Sequence, residues 1–139
     1  MTWDYLAGFF DGEGYVNCGY RLRSQGRYRR FAITITQADR DVLEQIQNFL
    51  AQNEIPSQVY LQGQRIDKRH PRPCYQLQVT GAENVWGFLW CIEPYLIVKQ
   101  EQARKGIEML EELGRQARAG ELDPRIHFRY ASIAEDFKS

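Results

Sequence analysis

The segment that decides the fold of this chain is Leu6-Ala7-Gly8-Phe9-Phe10-Asp11-Gly12-Glu13-Gly14. Its apolar and helix-compatible residues predict a helix from Trp3 to Asp11, about two to three turns long. Gly8 and Gly12 lie four positions apart on one face of that helix, where the absence of side chains lets a second helix approach closely. Gly14 suits the exit from the helix, because glycine accepts a positive φ angle without strain. Glu13 is therefore expected at the boundary between helix and strand, with its carboxylate projecting from the helix end.

The length and composition of the chain indicate one domain. With 139 residues and 43% hydrophobic content it can bury one core, so we expect a single domain over residues 1–139, with its main part at about 3–119. The sequence has no apolar run long enough to cross a membrane and does not open on a basic region followed by an apolar run. We therefore expect no membrane partner, and a location in a bacterial cytoplasm or in an organelle that encodes the protein itself.

The cysteines and histidines exclude several kinds of site. Cys18, Cys74 and Cys91 are odd in number, widely spaced and without a CxxC pair, so neither a disulfide framework nor a zinc site is supported. Only His70 and His127 are present, which leaves little for catalysis by a histidine base. Carboxylates, lysine and a metal ion remain as the candidate chemistry.

The charges are balanced in number but unevenly distributed. Lys and Arg total 18, as do Asp and Glu, yet five arginines and no acid lie between Tyr15 and Ala38, while residues 101–123 contain six carboxylates. A second basic cluster spans residues 65–72. Local positive potential governs phosphate binding, and arginine, which outnumbers lysine fourteen to four, suits bidentate contacts to phosphate and guanine. The alternative is that the arginines only solubilise strand edges.

Four segments alternate between apolar and polar residues, as half-buried strands do. The first pair, Tyr15 to Arg23 and Tyr28 to Gln37, is joined by the turn Ser24-Gln25-Gly26. The second pair, Gln58 to Gln64 and Cys74 to Val79, is joined by a basic loop. Each pair predicts an antiparallel hairpin with one apolar face and one polar face.

Helical spacing predicts the remaining elements. A helix capped by Asp39 is expected to end near Asn53. A short helix is expected over 85–92, a long one from about Tyr95 to about Ala119, and one or two short ones over about 123–137. The order of these elements predicts an α+β fold, αββαββα, whose four-stranded antiparallel sheet carries its helices on one face.

The uncovered face of that sheet carries side chains that read bases. Gln and Asn pair with adenine edges and Arg with guanine, and a ribbon of strands fits the major groove. Any sheet with one wet face shows polar alternation, but this face almost lacks Asp, Glu and Lys. A strand of nine residues covers about nine base pairs, so one chain can read only a half-site. The predicted DNA-binding residues are Asn17, Arg21, Arg23, Tyr28, Arg30, Thr34, Thr36, Gln58, Tyr60, Gln62, Gln64, Arg65, Gln76 and Gln78.

The segment from Leu6 to Gly14 resembles the signature motif of the LAGLIDADG homing endonucleases over its whole length. The resemblance implies a saddle-shaped sheet and a catalytic metal bound by the last acidic residue, here Glu13 in place of the commoner Asp, with Gly12 beside it. Because the chain has one motif, two chains must supply the paired motif helices, and we expect a homodimer. The predicted dimer interface consists of Ala7, Gly8, Asp11 and Gly12. The alternative is an amphipathic helix followed by a glycine turn and a solvated glutamate.

The resemblance covers about residues 3–119 and implies two further catalytic residues. Gln37 ends a segment similar to the second strand of single-motif members, where a glutamine lies near the scissile phosphate. Lys99 matches the basic active-site residue before the long helix. Without the resemblance we would assign both to solvated or strand-end polar positions. An arginine of some members falls at Asp41, so that the adjacent Arg40 is only an incomplete substitute.

The resemblance implies a metal-dependent DNA endonuclease. We expect hydrolysis of both strands of a long, nearly palindromic DNA site with Mg²⁺ or Mn²⁺, leaving 3′ overhangs, and the two-fold symmetry of a dimer independently predicts the palindrome. The alternative is a protein of the same family that does not cleave, either an intron RNA maturase, with intron RNA as its partner, or a DNA-binding regulator. A third interpretation is a small globular domain in which the motif occurs by chance.

Overall fold

The computed structural model describes residues 1–23, 26–65 and 72–120, and of residues 19–23, 26–30, 63–65 and 72 it describes the backbone alone. Within these ranges the chain forms four α-helices, a short 3-10 helix and four strands. In chain order they are α1 (Trp3–Glu13), β1 (Gly14–Arg23), β2 (Gly26–Gln37), α2 (Arg40–Gln52), β3 (Gln58–Arg65), β4 (Arg72–Thr80), α3 (Ala82–Ile92), the 3-10 helix (Glu93–Tyr95) and α4 (Gln100–Arg118). This order confirms the predicted α+β arrangement. None of the described helices is long and apolar enough to span a membrane.

The four strands form one antiparallel sheet in the order β1-β2-β4-β3. Since successive residues of a strand point to opposite faces, the fully buried Ile33, Ile35, Leu77 and Val79 share one face. All four helices contact the sheet and contribute to the core against that face. The opposite face is uncovered, and the fold places the polar residues of the central strands there.

Gly14 is required for a different reason from the one predicted. It leaves α1 with φ −90° and ψ 162°, an extended conformation open to any residue. A Cβ atom at this position would lie 2.0 Å from the ring of Phe10, which is fully buried. The position therefore needs glycine for space and not for a positive φ angle.

The start of the long helix was predicted wrongly. It begins at Gln100, after the 3-10 helix and four non-helical residues, and not near Tyr95. The carboxylate of Asp11 accepts hydrogen bonds from the backbone N–H groups of Ile97 (2.8 Å) and Lys99 (2.9 Å), so α1 holds this segment as a turn. The short helices predicted over about 123–137 lie outside the described residues.

A β-bulge in β3 changes the face of the residues that follow it. The register pairs Leu61 with Tyr75 but Gly63 with Cys74, so Gln62 is an extra residue. Strict alternation predicted Gln64 on the same face as Tyr60. The register instead pairs Gln64 with Pro73, on the other face of the ladder, and this part of the prediction is wrong.

Candidate active site and nucleic-acid interface

The two acidic residues of the motif have different surroundings. Asp11 uses both carboxylate oxygens on backbone N–H groups, Oδ2 on Ile97 and Oδ1 on Lys99. Burial raises the pKa of this carboxyl, but hydrogen bonds from the backbone of Ile97, Lys99 and Val98, together with the charge of Lys99, hold it below its ordinary value. Asp11 therefore connects the end of α1 to the start of α4.

Glu13 is two residues further along α1 and points to another side, because residues two apart on a helix do not face each other. It is exposed, and its carboxylate makes no hydrogen bond or ion pair with any residue that the structure describes. Of the two motif carboxylates, only Glu13 is thus available for a ligand from outside the chain.

The side chain of Lys99 lies beside this helix end. Its Nζ donates to the backbone carbonyl of Asp11 at 2.5 Å, in the last turn of α1, where carbonyl groups lack partners within the helix. The helix dipole is negative at this end and favours a cation. A fully solvated lysine would not make this contact. The contact holds the ammonium group at the carbonyl of Asp11, two residues before Glu13 in the same helix end.

The sheet register brings Gln37 to the same end of the molecule. Gly14, the first residue of β1, pairs with Ile35 of β2. Gln37, two residues beyond Ile35, therefore lies at the end of the strands that is next to Glu13. The side-chain oxygen of Gln37 accepts a hydrogen bond from the backbone N–H of Ala38 at 2.9 Å, which holds its amide group near the strand end. The chain positions of the three predicted catalytic residues therefore lie at one end of the sheet, although they are up to 86 positions apart in sequence.

Arg40 is the cation nearest this strand end on α2. Its guanidinium lies 5.6 Å from the centre of the Tyr75 ring, and Tyr75 pairs with Gln37 in the sheet. Arg40 also forms an exposed ion pair with Glu44 at 2.9 Å. The neighbouring Asp41 donates its backbone N–H to the cap residue Asp39. The Arg40 side chain thus contacts Tyr75 and Glu44, while the backbone of Asp41 belongs to the cap of α2.

A hard divalent cation fits the donors at this end. The carboxylate of Glu13 has no partner in the described part of the chain, and the carbonyl of Gly12 belongs to the last helical turn, whose carbonyls lack helical partners. Among the described residues no group of three or more His, Cys, Asp and Glu side chains could hold a metal ion. The described part of one chain therefore offers an incomplete set of ligands for such a cation.

The four residues predicted for the dimer interface have different environments. Ala7 is fully buried within its own chain, and the carboxylate of Asp11 is hydrogen-bonded within the chain. Contrary to the prediction, neither side chain is available to a partner. Gly8 and Gly12 are exposed, and a Cβ atom at either would meet nothing within 4 Å. The bare glycine face of α1 is thus open, as predicted.

No pattern in the sequence predicts the apolar surface near this face. Ile97 is 86% exposed and Val98 74%, in the turn that Asp11 holds, and Tyr5 on α1 is 61% exposed. The motif shows only that glycines recur on α1. The turn at 97–99 depends on contacts with Asp11, which lies 86 to 88 residues earlier in the chain, and no local pattern signals it.

The uncovered sheet face carries most of the predicted DNA-binding residues. The described side chains at these positions are Asn17, Thr34, Thr36, Gln58, Tyr60, Gln76 and Gln78, with Gln62 in the bulge. The register gives the same face to positions 21, 23, 28, 30 and 65, whose side chains lie outside the described part: Arg21, Arg23, Tyr28, Arg30 and Arg65. No Asp, Glu or Lys occurs among these residues, and the side chains of this list that the structure describes are polar and uncharged.

Known proteins resemble this chain over the elements that form the candidate site. The sequence model described as a LAGLIDADG-like domain matches residues 3–92, from α1 to the end of α3. A comparison with curated protein sequences finds no match.

Several solved structures have the same fold. The homing endonuclease I-CvuI, bound to the I-CreI target DNA in the presence of Mg, is 24% identical with a TM-score of 0.66, covering 82% of this chain and 68% of its own. The homing endonuclease I-TnaI is 20% identical with a TM-score of 0.64, covering 100% and 89%. The archaeal intron-encoded homing endonuclease I-Vdi141I, complexed with DNA, is 19% identical with a TM-score of 0.61, covering 88% and 84%.

These matches agree with the motif in α1 and with the sheet that follows it. At such identities the solved structures establish the fold alone, whereas the sequence model covers well over half of the chain. The resemblance read from residues 6–14 is confirmed: the chain belongs to the LAGLIDADG family.

Proposed function

We propose that this protein is a metal-dependent endonuclease that hydrolyses both strands of a long, nearly palindromic DNA site and leaves 3′ overhangs. The observation that carries the proposal is the carboxylate of Glu13, which is exposed, has no partner among the residues described, and lies at the sheet end where Gln37 and Lys99 are also placed. The adjoining sheet face is open and rich in Gln, Thr and Arg positions. Related structures bound to DNA support this choice of substrate.

Each of the three residues has a distinct role. Glu13, with the carbonyl of Gly12, would hold a divalent cation, Mg²⁺ or Mn²⁺, which when bound supplies Lewis acidity and neutralises phosphate charge. Lys99 offsets the negative charge that develops on the phosphate in the transition state. Gln37 has its carbonyl oxygen engaged by Ala38, so its NH₂ group remains to donate to a phosphate oxygen or to water.

A homodimer completes the site. The open glycine face of α1 lets two copies bring their helices together, and the exposed Ile97 and Val98 extend the apolar area that can be covered. A two-fold axis between the helices would join two sheet faces, each reading one half-site, which accounts for a nearly palindromic target.

Cleavage of a DNA library tests this function. The purified protein is incubated with supercoiled plasmids carrying randomised inserts, with and without Mg²⁺, and linear products are sequenced at their ends. Glu13→Gln should lower Mg²⁺-dependent cleavage about 10³-fold or more while binding persists in Ca²⁺, because it removes a metal-binding charge but keeps the shape. Glu108→Gln, an exposed carboxylate in the middle of α4, serves as the control.

The same experiment separates the other functions of this family. Undiminished nicking by Glu13→Gln would refute the role given to that residue. Specific binding without cleavage by the unaltered protein would identify a regulator, and a parallel incubation with intron RNA would reveal a maturase.

A further inference from the structure

One tyrosine on the open sheet face contacts the side chains of two glutamines. The hydroxyl of Tyr60 donates a hydrogen bond to Oε1 of Gln76, its cross-strand neighbour, and Oε1 of Gln78 lies 3.5 Å from the same hydroxyl oxygen. Both glutamines are half-buried, whereas Tyr60 lies on the edge strand β3. The carbonyl ends of two neighbouring amides are therefore turned towards a single phenol.

This orientation limits which bases the amides can read. A glutamine recognises adenine through a fork, in which its oxygen accepts from N6 and its NH₂ group donates to N7, so both atoms must face the base edge. In Gln76 the oxygen is directed along the sheet towards Tyr60 on β3, which leaves the NH₂ group as the part of the amide that is free to donate. The Gln76 oxygen has a second lone pair that could still accept from a base. This does not restore the fork, because the hydrogen bond from Tyr60 already fixes the orientation of the amide group.

We propose that Tyr60 determines base specificity by holding Gln76 as a hydrogen-bond donor, since a phenol has one O–H proton and Gln76 lies nearer to it than Gln78. The base that Gln76 faces should present acceptors alone, as guanine does with N7 and O6 and thymine with O4, and adenine should be disfavoured. The inference rests on the proposed DNA recognition and adds the chemical class of base that Gln76 selects.

The position of this group within the half-site follows from the register. Gln76 pairs with Thr36 on β2, and Thr36 directly precedes Gln37 at the candidate active site. Tyr60 and Gln76 therefore lie in a cross-strand row close to the cleavage end. The bases affected should be among the inner positions of each half-site, next to the scissile phosphates.

A selection experiment tests the proposal. Bound sequences are recovered from a randomised DNA pool in Ca²⁺ with the unaltered protein, Tyr60→Phe, Gln76→Ala and the control Tyr95→Phe, which removes the hydroxyl of another exposed tyrosine, in the 3-10 helix. The unaltered protein should select guanine or thymine at one symmetric pair of inner positions, and Gln76→Ala should relax that preference. Tyr60→Phe should raise the occurrence of adenine there by at least about fivefold, and Tyr95→Phe should not.

Two results of the selection would overturn the inference. One is adenine as the preferred base of the unaltered protein at the positions that Gln76→Ala alters. The other is that Tyr60→Phe and the unaltered protein select a specific site with the same bases at its inner positions.

A measurement without DNA distinguishes failure of this inference from failure of the proposed function. The NMR resonances of the Gln76 side-chain amide should shift in Tyr60→Phe and remain in place in Tyr95→Phe. If no DNA is enriched but these resonances shift, the proposed function fails while the hydrogen bond stands. If they do not shift, the orienting hydrogen bond is absent and the inference is wrong whatever the protein binds.

Discussion

At the scale of single residues, the two acidic residues of the motif differ in whether their carboxylates are bonded within the chain. Asp11 and Glu13 are two positions apart and chemically alike, yet Asp11 bonds to the backbone of Ile97 and Lys99 while Glu13 has no partner among the described residues. Since a helix turns by about 200° over two residues, the first faces the chain and the second faces outwards. The roles of the two acids follow from this geometry.

Asp11→Asn should destabilise the fold and change its pH dependence. Asparagine keeps one acceptor oxygen, so one hydrogen bond and the charge are lost, at a cost of about 1–2 kcal/mol in the free energy of unfolding at pH 7. The folded pKa of Asp11 is lowered, so its contribution to stability is present above the unfolded value of about 3.9 and is lost as pH falls through the folded pKa. The difference between the two proteins in urea unfolding should therefore shrink from pH 7 to about pH 3. A difference that stays constant or grows on acidification would contradict this account of Asp11.

Lys99→Met should slow cleavage but leave some activity. The ammonium group stabilises charge and does not hold the metal, so we expect a loss of about 10²-fold in the single-turnover rate at saturating protein. Lys99→Arg, which retains a cation, should lose less. Equal rates for Lys99→Met and the unaltered protein would restrict Lys99 to its contact with the carbonyl of Asp11.

At the scale of elements, two glycines lie where neighbouring elements leave no room for a side chain. Gly14 leaves no room for a Cβ atom above the ring of Phe10, and at Gly106 of α4 a Cβ atom would lie 2.9 Å from Leu89 and 3.3 Å from the sulfur of Cys18. These contacts set the junction of α1 with β1 and the seat of α4 on β1 and α3. Glycine content alone does not distinguish them from Gly87, which has space for a Cβ atom 4.0 Å from Ile55.

Gly14→Ala should destabilise the protein by about 3 kcal/mol or more, because the buried ring of Phe10 cannot move aside within a closely packed core. Gly87→Ala, inside α3, is the matched control and should be neutral or stabilising by up to about 1 kcal/mol, since alanine favours a helix. Thermal unfolding of both variants measures this. Equal stability of the two alanine variants would show that the contact with Phe10 does not require glycine.

At the scale of the whole molecule, two uncovered surfaces lie beside each other on the described part of the chain. The open face of α1, with Gly8 and Gly12, lies beside the exposed apolar turn at Ile97 and Val98. Neither surface is covered within the described chain. A second copy related by a two-fold axis would cover both and place two Glu13 carboxylates near each other.

Gly8→Leu should abolish the dimer without unfolding the chain. A Cβ atom at Gly8 meets nothing within 4 Å inside the chain, so a leucine obstructs only a partner helix. Sedimentation should give a monomer for this variant and a dimer for the unaltered protein and for Glu108→Leu, which adds the same side chain on α4, with equal circular dichroism for all three. A monomeric unaltered protein at micromolar concentration would contradict the two-chain site.

Local patterns were sufficient to predict the secondary structure and its order. The alternation of Ile33 and Ile35 with threonines marked β2 and its buried face, and the side chain of Asp39 caps α2 as expected. These signals lie within a few residues of one another, so they can be read before any tertiary contact is known. The motif in α1 also identified the family and the candidate Glu13.

The tertiary structure decided what depends on residues far apart in the chain. The strand order β1-β2-β4-β3, the late start of α4 imposed by Asp11 across 86 residues, the steric need for Gly14 and the changed face of Gln64 after the bulge all arise in this way. The orientation of Gln76 by Tyr60 is a further case. Sequence periodicity records which face a residue prefers, but hydrogen bonds and steric contacts between elements form only when the folded chain brings their atoms together.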